Sequence, residues 1–132
     1  MAKILLDDFF HEVDAIARGD LKHAAKLRFV HAEIVAPFLS RMELGDSTVQ
    51  VPDRTVFSYR DNPWRGAHLL AMAANIQWDV FADGRGGLLV RMLHNERETD
   101  FKPACASAKL APDSRYYDFR KLSACYGYQT RS

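Results

Sequence analysis

Apolar residues near the start of the chain recur at spacings of three and four, which is the period of a helix that buries one face. These residues are Leu6, Phe9, Phe10, Val13, Ile16 and Ala17. Gly19 follows them, and glycine commonly ends a helix because it adopts the left-handed backbone conformation without strain. The pattern predicts an amphipathic helix over residues 2–18.

A short apolar run and a second helical pattern come next. Residues 27–30 (Leu-Arg-Phe-Val) are rich in strand formers and are predicted to form a buried strand. From residue 34 the apolar positions return to the helical period, which predicts a second helix ending near Leu44. Pro37 fits best in a first helical turn, so either regular helix begins near it or the first turn is irregular.

The rest of the chain is predicted to contain one β-hairpin between irregular segments. Turn formers are frequent in residues 46–62, which indicates a loop with at most one edge strand. Residues 68–82 and 88–93 are strand-like, and the glycine-rich loop between them permits the turn of an antiparallel pair. A short helix is expected near residues 117–124.

Composition limits the size of the fold and excludes some partners. The chain has 132 residues, 48% of them hydrophobic, which is enough for one core and too few for two ordinary domains. With 18 basic and 17 acidic residues the net charge is +1, so no overall field would attract nucleic acid or an anionic membrane. No apolar run approaches the ~20 residues that cross a bilayer. Asp7 and Asp8 stand where a signal peptide would continue its apolar region.

Cys105 and Cys125 lie in the same irregular part of the chain. In an oxidising compartment they could form a disulfide, which would stabilise a segment of weak periodicity. Two reduced thiols in a cytosolic protein are the alternative. No neighbouring pattern of histidine or acidic residues marks either cysteine as a nucleophile or a zinc ligand.

The segment Leu27-Arg28-Phe29-Val30-His31-Ala32-Glu33 contains the strongest candidate chemistry. A strand that delivers an imidazole and a carboxylate to the start of a helix places both near unpaired N–H groups and a positive dipole end, which suit phosphate. A protonated His31 would contribute charge and donors to phosphoryl oxygens, and Glu33 could give a proton to a departing alkoxide. The pair therefore favours phosphoester cleavage.

Both residues also have structural interpretations. A single histidine after a strand is more often structural than catalytic, and an acidic residue in a first helical turn is stabilised by the helix dipole. Alternation along the strand points Arg28 away from Phe29, and an ion pair is expected for it. The three-residue motif alone leaves both interpretations open.

The run LRFVHAEIVAPFLSRMEL resembles the second active-site motif of histidine acid phosphatases, in the His-Ala-Glu form of multiple inositol polyphosphate phosphatases. Later stretches resemble the same family in the same order: Trp64-Arg65-Gly66, Ala73-Ala74-Asn75-Ile76 and Leu93-His94-Asn95-Glu96. The resemblance covers about residues 20–105. It implies an α/β fold, part of a phosphoglycerate-mutase-like core with a mixed sheet and flanking helices. Residues 1–132 would then be a single domain, a C-terminal fragment of the histidine phosphatase domain.

The resemblance also implies an activity. His31 matches the second active-site histidine, which binds the transferring phosphoryl group, and Glu33 matches the proton donor to the leaving inositol oxygen. The family nucleophile is a histidine in an Arg-His-Gly-x-Arg-x-Pro motif, which this sequence lacks. We therefore expect hydrolysis of phytate or similar phosphomonoesters through a phosphohistidine, without metal or cofactor. The N-terminal part of the same enzyme would be the partner, and this chain alone would be inactive.

The family resemblance and the cysteine pair together predict a periplasmic or secreted protein. An alternative function, from a different class, is a non-catalytic binding or interaction domain in which His31 and Glu33 are structural. An Arg-His-Gly motif upstream in the parent gene would favour the phosphatase.

Overall fold

The computed structural model describes residues 1–20 and 24–130. Its helices are α1 (Ala2–Ala17), α2 (Ala32–Met42), α3 (Gly66–Leu69) and α4 (Phe119–Cys125), with 3-10 turns at Gly45–Thr48 and Pro103–Ala108. Its strands are β1 (Ile76–Ala82), β2 (Leu88–His94), β3 (Arg97–Thr99) and β4 (Tyr117–Asp118). Helices flank an antiparallel sheet, which confirms the α/β class.

Helix α1 has the predicted period and the predicted end. Its buried side chains are Leu6, Phe10, Val13, Asp14 and Ala15. The chain leaves the helix at Gly19, whose φ is +74°, and the Asp20 N–H donates to the Ala15 carbonyl at 2.9 Å. That bond satisfies a carbonyl that the end of a helix otherwise leaves without a partner.

Helix α2 begins earlier than the proline suggested. Pro37 lies inside the helix, where it cannot donate a backbone hydrogen bond, yet a full turn of regular helix precedes it. The helix ends at Met42, since Glu43 adopts the left-handed conformation with φ 54°. This end is within two residues of the predicted one.

The sheet is built around β2. Strands β1 and β2 form the predicted antiparallel hairpin, and the Asp83 carboxylate closes its loop by accepting the N–H groups of Arg85 and Gly87 at 2.7 and 2.9 Å. β3 and β4 also pair with β2, so every pairing among the described strands is antiparallel. Strand β1 starts at residue 76 rather than 68. Helix α3 occupies residues 66–69, and residues 70–75 form a bend, a turn and irregular chain.

The core is shared by α1, α2, α4 and the sheet. The largest fully buried side chains belong to Tyr117, Phe10, Phe101, Leu39, Met42, Leu44, Met92 and Leu122. The ring of Phe10 lies 5.0 Å from that of Trp78 and 5.4 Å from that of Tyr126, so one aromatic side chain of α1 contacts both the sheet and the C-terminal segment. These contacts fix α1 against the rest of the fold.

Residues 27–30 do not form the buried strand that their composition predicted. They have no regular secondary structure, and Leu27 and Phe29 are 76% and 91% exposed. A strand needs a neighbour that pairs with its backbone groups, and none of the described strands pairs with this segment. Residues 46–62 contain no strand either, and the turn at Gly45–Thr48 overlaps their start.

A disulfide joins Cys105 to Cys125, whose Cα atoms are 5.7 Å apart. It links the 3-10 turn at Pro103–Ala108 to the last residue of α4. Helix α4 lies where a short helix was expected and begins directly after β4. The irregular C-terminal region is therefore tied together covalently.

Tyr126 joins the end of α2 to the chain that precedes the second 3-10 turn. Its hydroxyl donates to the Met42 carbonyl at 3.1 Å and accepts the Lys102 N–H at 3.3 Å. The Lys102 ammonium lies 4.6 Å from the centre of the tyrosine ring. Burial raises the pKa of Tyr126 to about 12, so the fold favours the neutral phenol.

We expect Tyr126→Phe to lower the free energy of unfolding by about 1 kcal/mol near neutral pH, because the hydrogen bond to Met42 is lost. The folded pKa of Tyr126 lies above the unfolded value of about 10. The tyrosine therefore contributes fully below that value, and its contribution is lost as the pH rises towards about 12. Urea unfolding at about pH 8 and at about pH 11 gives the free energies of unfolding of wild type and variant. The difference between them should be smaller at the higher pH. A difference independent of pH would contradict this, and Tyr59→Phe, at a residue that is 59% exposed, is the control.

Candidate functional site

His31 and Glu33 lie at the start of α2. His31 immediately precedes the helix, with extended backbone (φ −82°, ψ 162°), and its carbonyl accepts the N–H groups of Ile34 and Val35 at 2.9 and 3.2 Å. Glu33 lies in the first turn. Both side chains are exposed, and within the described residues neither forms a hydrogen bond or ion pair.

The start of α2 is electrostatically suited to binding an anion. The first N–H groups of a helix have no intrahelical acceptor, and this end carries a partial positive charge. A phosphate oxygen placed there could receive hydrogen bonds from backbone N–H groups and from a protonated His31. An acidic residue in the first turn of a helix is also favourable for stability, which is the structural interpretation of Glu33.

The strand expected before His31 is absent, which corrects one part of the predicted geometry. His31 follows an unpaired segment instead of the carboxyl end of a central strand. Two surface cavities of the described chain lie along α2 and the loop after it, around Ser40 and Gln50, and neither is lined by His31 or Glu33. The pair therefore lies on an open surface.

Two basic residues hold the segment before α2 against α1. Arg28 Nε and Nη2 lie 2.6 and 2.5 Å from one Asp8 carboxylate oxygen, and the guanidinium lies 4.6 Å from the centre of the Phe9 ring. Lys26 Nζ lies 3.2 Å from Asp8 and also pairs with Glu12. The ion pair expected for Arg28 is confirmed. We call these four charged residues, Asp8, Glu12, Lys26 and Arg28, the α1 clamp.

The charges of the α1 clamp reinforce one another. Burial acts to raise the pKa of Asp8, but the hydrogen bonds from Arg28 and Lys26 outweigh it and lower the pKa. The hydrogen bond from Lys26 likewise lowers the pKa of Glu12, and the same bond raises the pKa of Lys26. Both carboxylates and the ammonium therefore stay ionised across the neutral range.

Comparisons with models of known protein families and with curated proteins gave no match. Among solved structures, the chain is similar to the multiple inositol polyphosphate phosphatase of Bifidobacterium longum. In the complex with inositol hexasulfate, the identity is 40% over 97% of this chain, with a TM-score of 0.85. In the complex with phosphate, the identity is 37% over 94% of this chain, with a TM-score of 0.83. Over nearly its whole length, the chain is similar in sequence and fold to a multiple inositol polyphosphate phosphatase.

The chain spans 26% of the length of the Bifidobacterium phosphatase in both comparisons. It therefore aligns with about a quarter of that phosphatase. Within the described residues, no group of three or more histidine, cysteine or acidic side chains could hold a metal ion. No described helix is long and apolar enough to cross a membrane.

Arg65 organises the loop before α3, a role that the sequence did not suggest. Its guanidinium donates to the carbonyls of Tyr59, Asn62 and Trp64 at 2.8, 2.7 and 2.8 Å, and lies 4.9 Å from the centre of the Tyr59 ring. An arginine bound to backbone carbonyls has no characteristic spacing to other residues. Its role becomes visible only in the folded loop.

The last family-like stretch, Leu93-His94-Asn95-Glu96, serves the fold. Asn95 and Asn75 exchange two hydrogen bonds, at 3.0 and 3.1 Å, which join the start of β1 to the turn after β2. The His94 ring nitrogen Nε2 lies 3.0 Å from the Leu69 carbonyl. These contacts give the stretch a structural role.

Proposed function

We propose that this chain is the C-terminal part of a histidine phosphatase domain that hydrolyses phosphomonoesters of inositol polyphosphates, phytate among them. One observation carries the proposal: the 40% identity over 97% of the chain to a phosphatase solved with inositol hexasulfate. The position of His31 and Glu33 at a helix start gives it chemical support. Residues 1–132 would form a single domain-sized piece of that enzyme.

The proposed roles follow from the chemistry of the two side chains. A protonated His31 gives positive charge and N–H donors to the oxygens of the transferring phosphoryl group, next to the N-terminus of α2. A protonated Glu33 gives its proton to the inositol oxygen as the phosphorus–oxygen bond breaks. Neither step uses a metal or a cofactor.

The nucleophile would come from outside this chain, because the Arg-His-Gly-x-Arg-x-Pro motif does not occur in its sequence. A histidine of that motif attacks phosphorus, and the leaving oxygen takes the Glu33 proton. Water then attacks the resulting phosphohistidine, which releases inorganic phosphate and regenerates the nucleophile.

The exposed surface next to His31 supports a partner of this kind. Leu27, Phe29 and Val30 are 76%, 91% and 48% exposed. Because residues 27–30 have the composition of a buried strand, we propose that the N-terminal part of the enzyme supplies the strand that pairs with them. The disulfide suits an oxidising compartment, which supports the proposal that the enzyme is periplasmic or secreted.

This chain alone is expected to release no phosphate above background from phytate or p-nitrophenyl phosphate. Without a covalent nucleophile only binding and electrostatic contributions remain. Phosphate release by the purified chain measures this. Clear turnover that His31→Ala abolishes would place the nucleophile within this chain and overturn the proposed division of roles.

A chimera tests whether this chain can supply His31 and Glu33 to an active phosphatase. In the chimera, this chain replaces the matching 26% of the Bifidobacterium phosphatase. We expect it to hydrolyse inositol hexakisphosphate, and His31→Ala to abolish most of that activity. A chimera that unfolds cooperatively on heating but releases no phosphate would instead favour a non-catalytic interaction domain.

A further inference from the structure

The segment that leads into His31 is held by side chains and not by its backbone. Within the described residues, the backbone groups of residues 24–30 form no hydrogen bond with another part of the chain. Side chains alternate along it: Lys26 and Arg28 contact α1, whereas Leu27 and Phe29 are exposed. Within this chain, the direction of the segment therefore depends on the α1 clamp.

Arg28 makes the more rigid of the two attachments. Its side chain is only 19% exposed, and both nitrogens that contact Asp8 lie in the plane of the guanidinium. The ring beneath it, Phe9, lies 5.3 Å from the ring of Phe38 on α2 and 5.1 Å from that of Trp78 on β1. Arg28 is thus anchored to a side chain that contacts the helix that His31 precedes.

Lys26 adds a second attachment two residues earlier. It contacts both Asp8 and Glu12, which lie one turn apart on α1. Two attachments at alternating positions set the direction of the segment, where one alone would leave it free to swing. At the other end, the hydrogen bonds from Ile34 and Val35 fix the carbonyl of His31.

We propose that Arg28, supported by Lys26, is a positioning residue that fixes how the chain enters α2 and so orients His31 towards the phosphoryl group. The claim that Arg28 orients His31 for catalysis rests on the proposed function. The claim that Arg28 fixes how the chain enters α2 rests on the α1 clamp alone. Arg28 is assigned a positioning role because its guanidinium faces Asp8 and the Phe9 ring.

NMR relaxation of the 132-residue chain tests the structural part. Wild type should give backbone order parameters of about 0.85 for residues 27–31, and Arg28→Gln should lower them below about 0.6. The exchange of charges in Asp8→Arg with Arg28→Asp should restore them in part. Order parameters that Arg28→Gln leaves unchanged would overturn the proposal.

Arg91→Gln is the matched control. Arg91 also pairs with an aspartate, at 2.6 Å to Asp79, and lies near aromatic rings, but it belongs to β2. Its replacement should affect the sheet and leave residues 27–31 unchanged. If Arg91→Gln also lowered the order parameters of residues 27–31, the effect of Arg28→Gln would reflect a general loosening of the fold and would contradict a positioning role for Arg28.

Kinetics of the chimera test the catalytic part. Arg28→Gln should lower kcat for inositol hexakisphosphate by on the order of 10- to 100-fold with little change in KM, since a displaced catalytic group loses rate more than binding. Arg91→Gln should change neither constant. An unchanged kcat in a disordered Arg28→Gln variant would overturn the catalytic part. If the unsubstituted chimera is inactive, the proposed function fails, while the NMR comparison still decides the role of the clamp.

Discussion

In the chimera, Glu33→Gln is expected to slow the hydrolysis of inositol hexakisphosphate by about 100- to 10,000-fold, but that of p-nitrophenyl phosphate by less than about 10-fold. An inositol oxygen leaves as a basic alkoxide and needs a proton in the transition state, whereas nitrophenolate is stable without one. Glutamine keeps the size of the side chain but has no acidic proton to give. The measurement is kcat/KM for both substrates.

Two further variants separate this effect from its alternatives. His31→Ala should slow both substrates, because the phosphoryl group that we propose it contacts is common to them. Glu43→Gln, which removes an acid at the other end of the same helix, should slow neither. Equal losses for both substrates in Glu33→Gln would contradict the proton-donor role, but would not contradict the proposed phosphatase activity.

Reduction of the Cys105–Cys125 disulfide is expected to lower the free energy of unfolding by about 3 kcal/mol. The two cysteines are 20 positions apart, and their link limits the conformations of the unfolded chain. In a chain of this size that loss corresponds to a fall in melting temperature of roughly 10 °C. Urea and thermal unfolding with and without a reductant give both quantities.

The control for the disulfide replaces both cysteines with alanine. Alanine suits the fully buried position 105 better than serine, which would leave a hydroxyl without a partner. The double variant should be insensitive to the reductant and close in stability to the reduced wild type. If the wild-type protein unfolded at the same urea concentration with and without the reductant, the disulfide would contribute nothing to the free energy of unfolding.

The elements that the sequence predicted correctly are those whose hydrogen bonds are local. Helix α1 has its apolar period and its glycine end within one segment, and the β1–β2 hairpin has its turn glycines between two adjacent runs. Family-like residues located His31 and Glu33 at the start of α2. In each case the interacting groups are neighbours in sequence, so a short window contains the information.

Tertiary structure determined the features whose partners lie far apart in the sequence. Residues 27–30 have the composition of a buried strand, yet within the described residues no strand pairs with them and they remain exposed. Their position depends on Asp8, twenty residues before Arg28. Backbone pairing and ion pairing both require a partner within a few ångströms, and the sequence of one segment does not say where such a partner will lie.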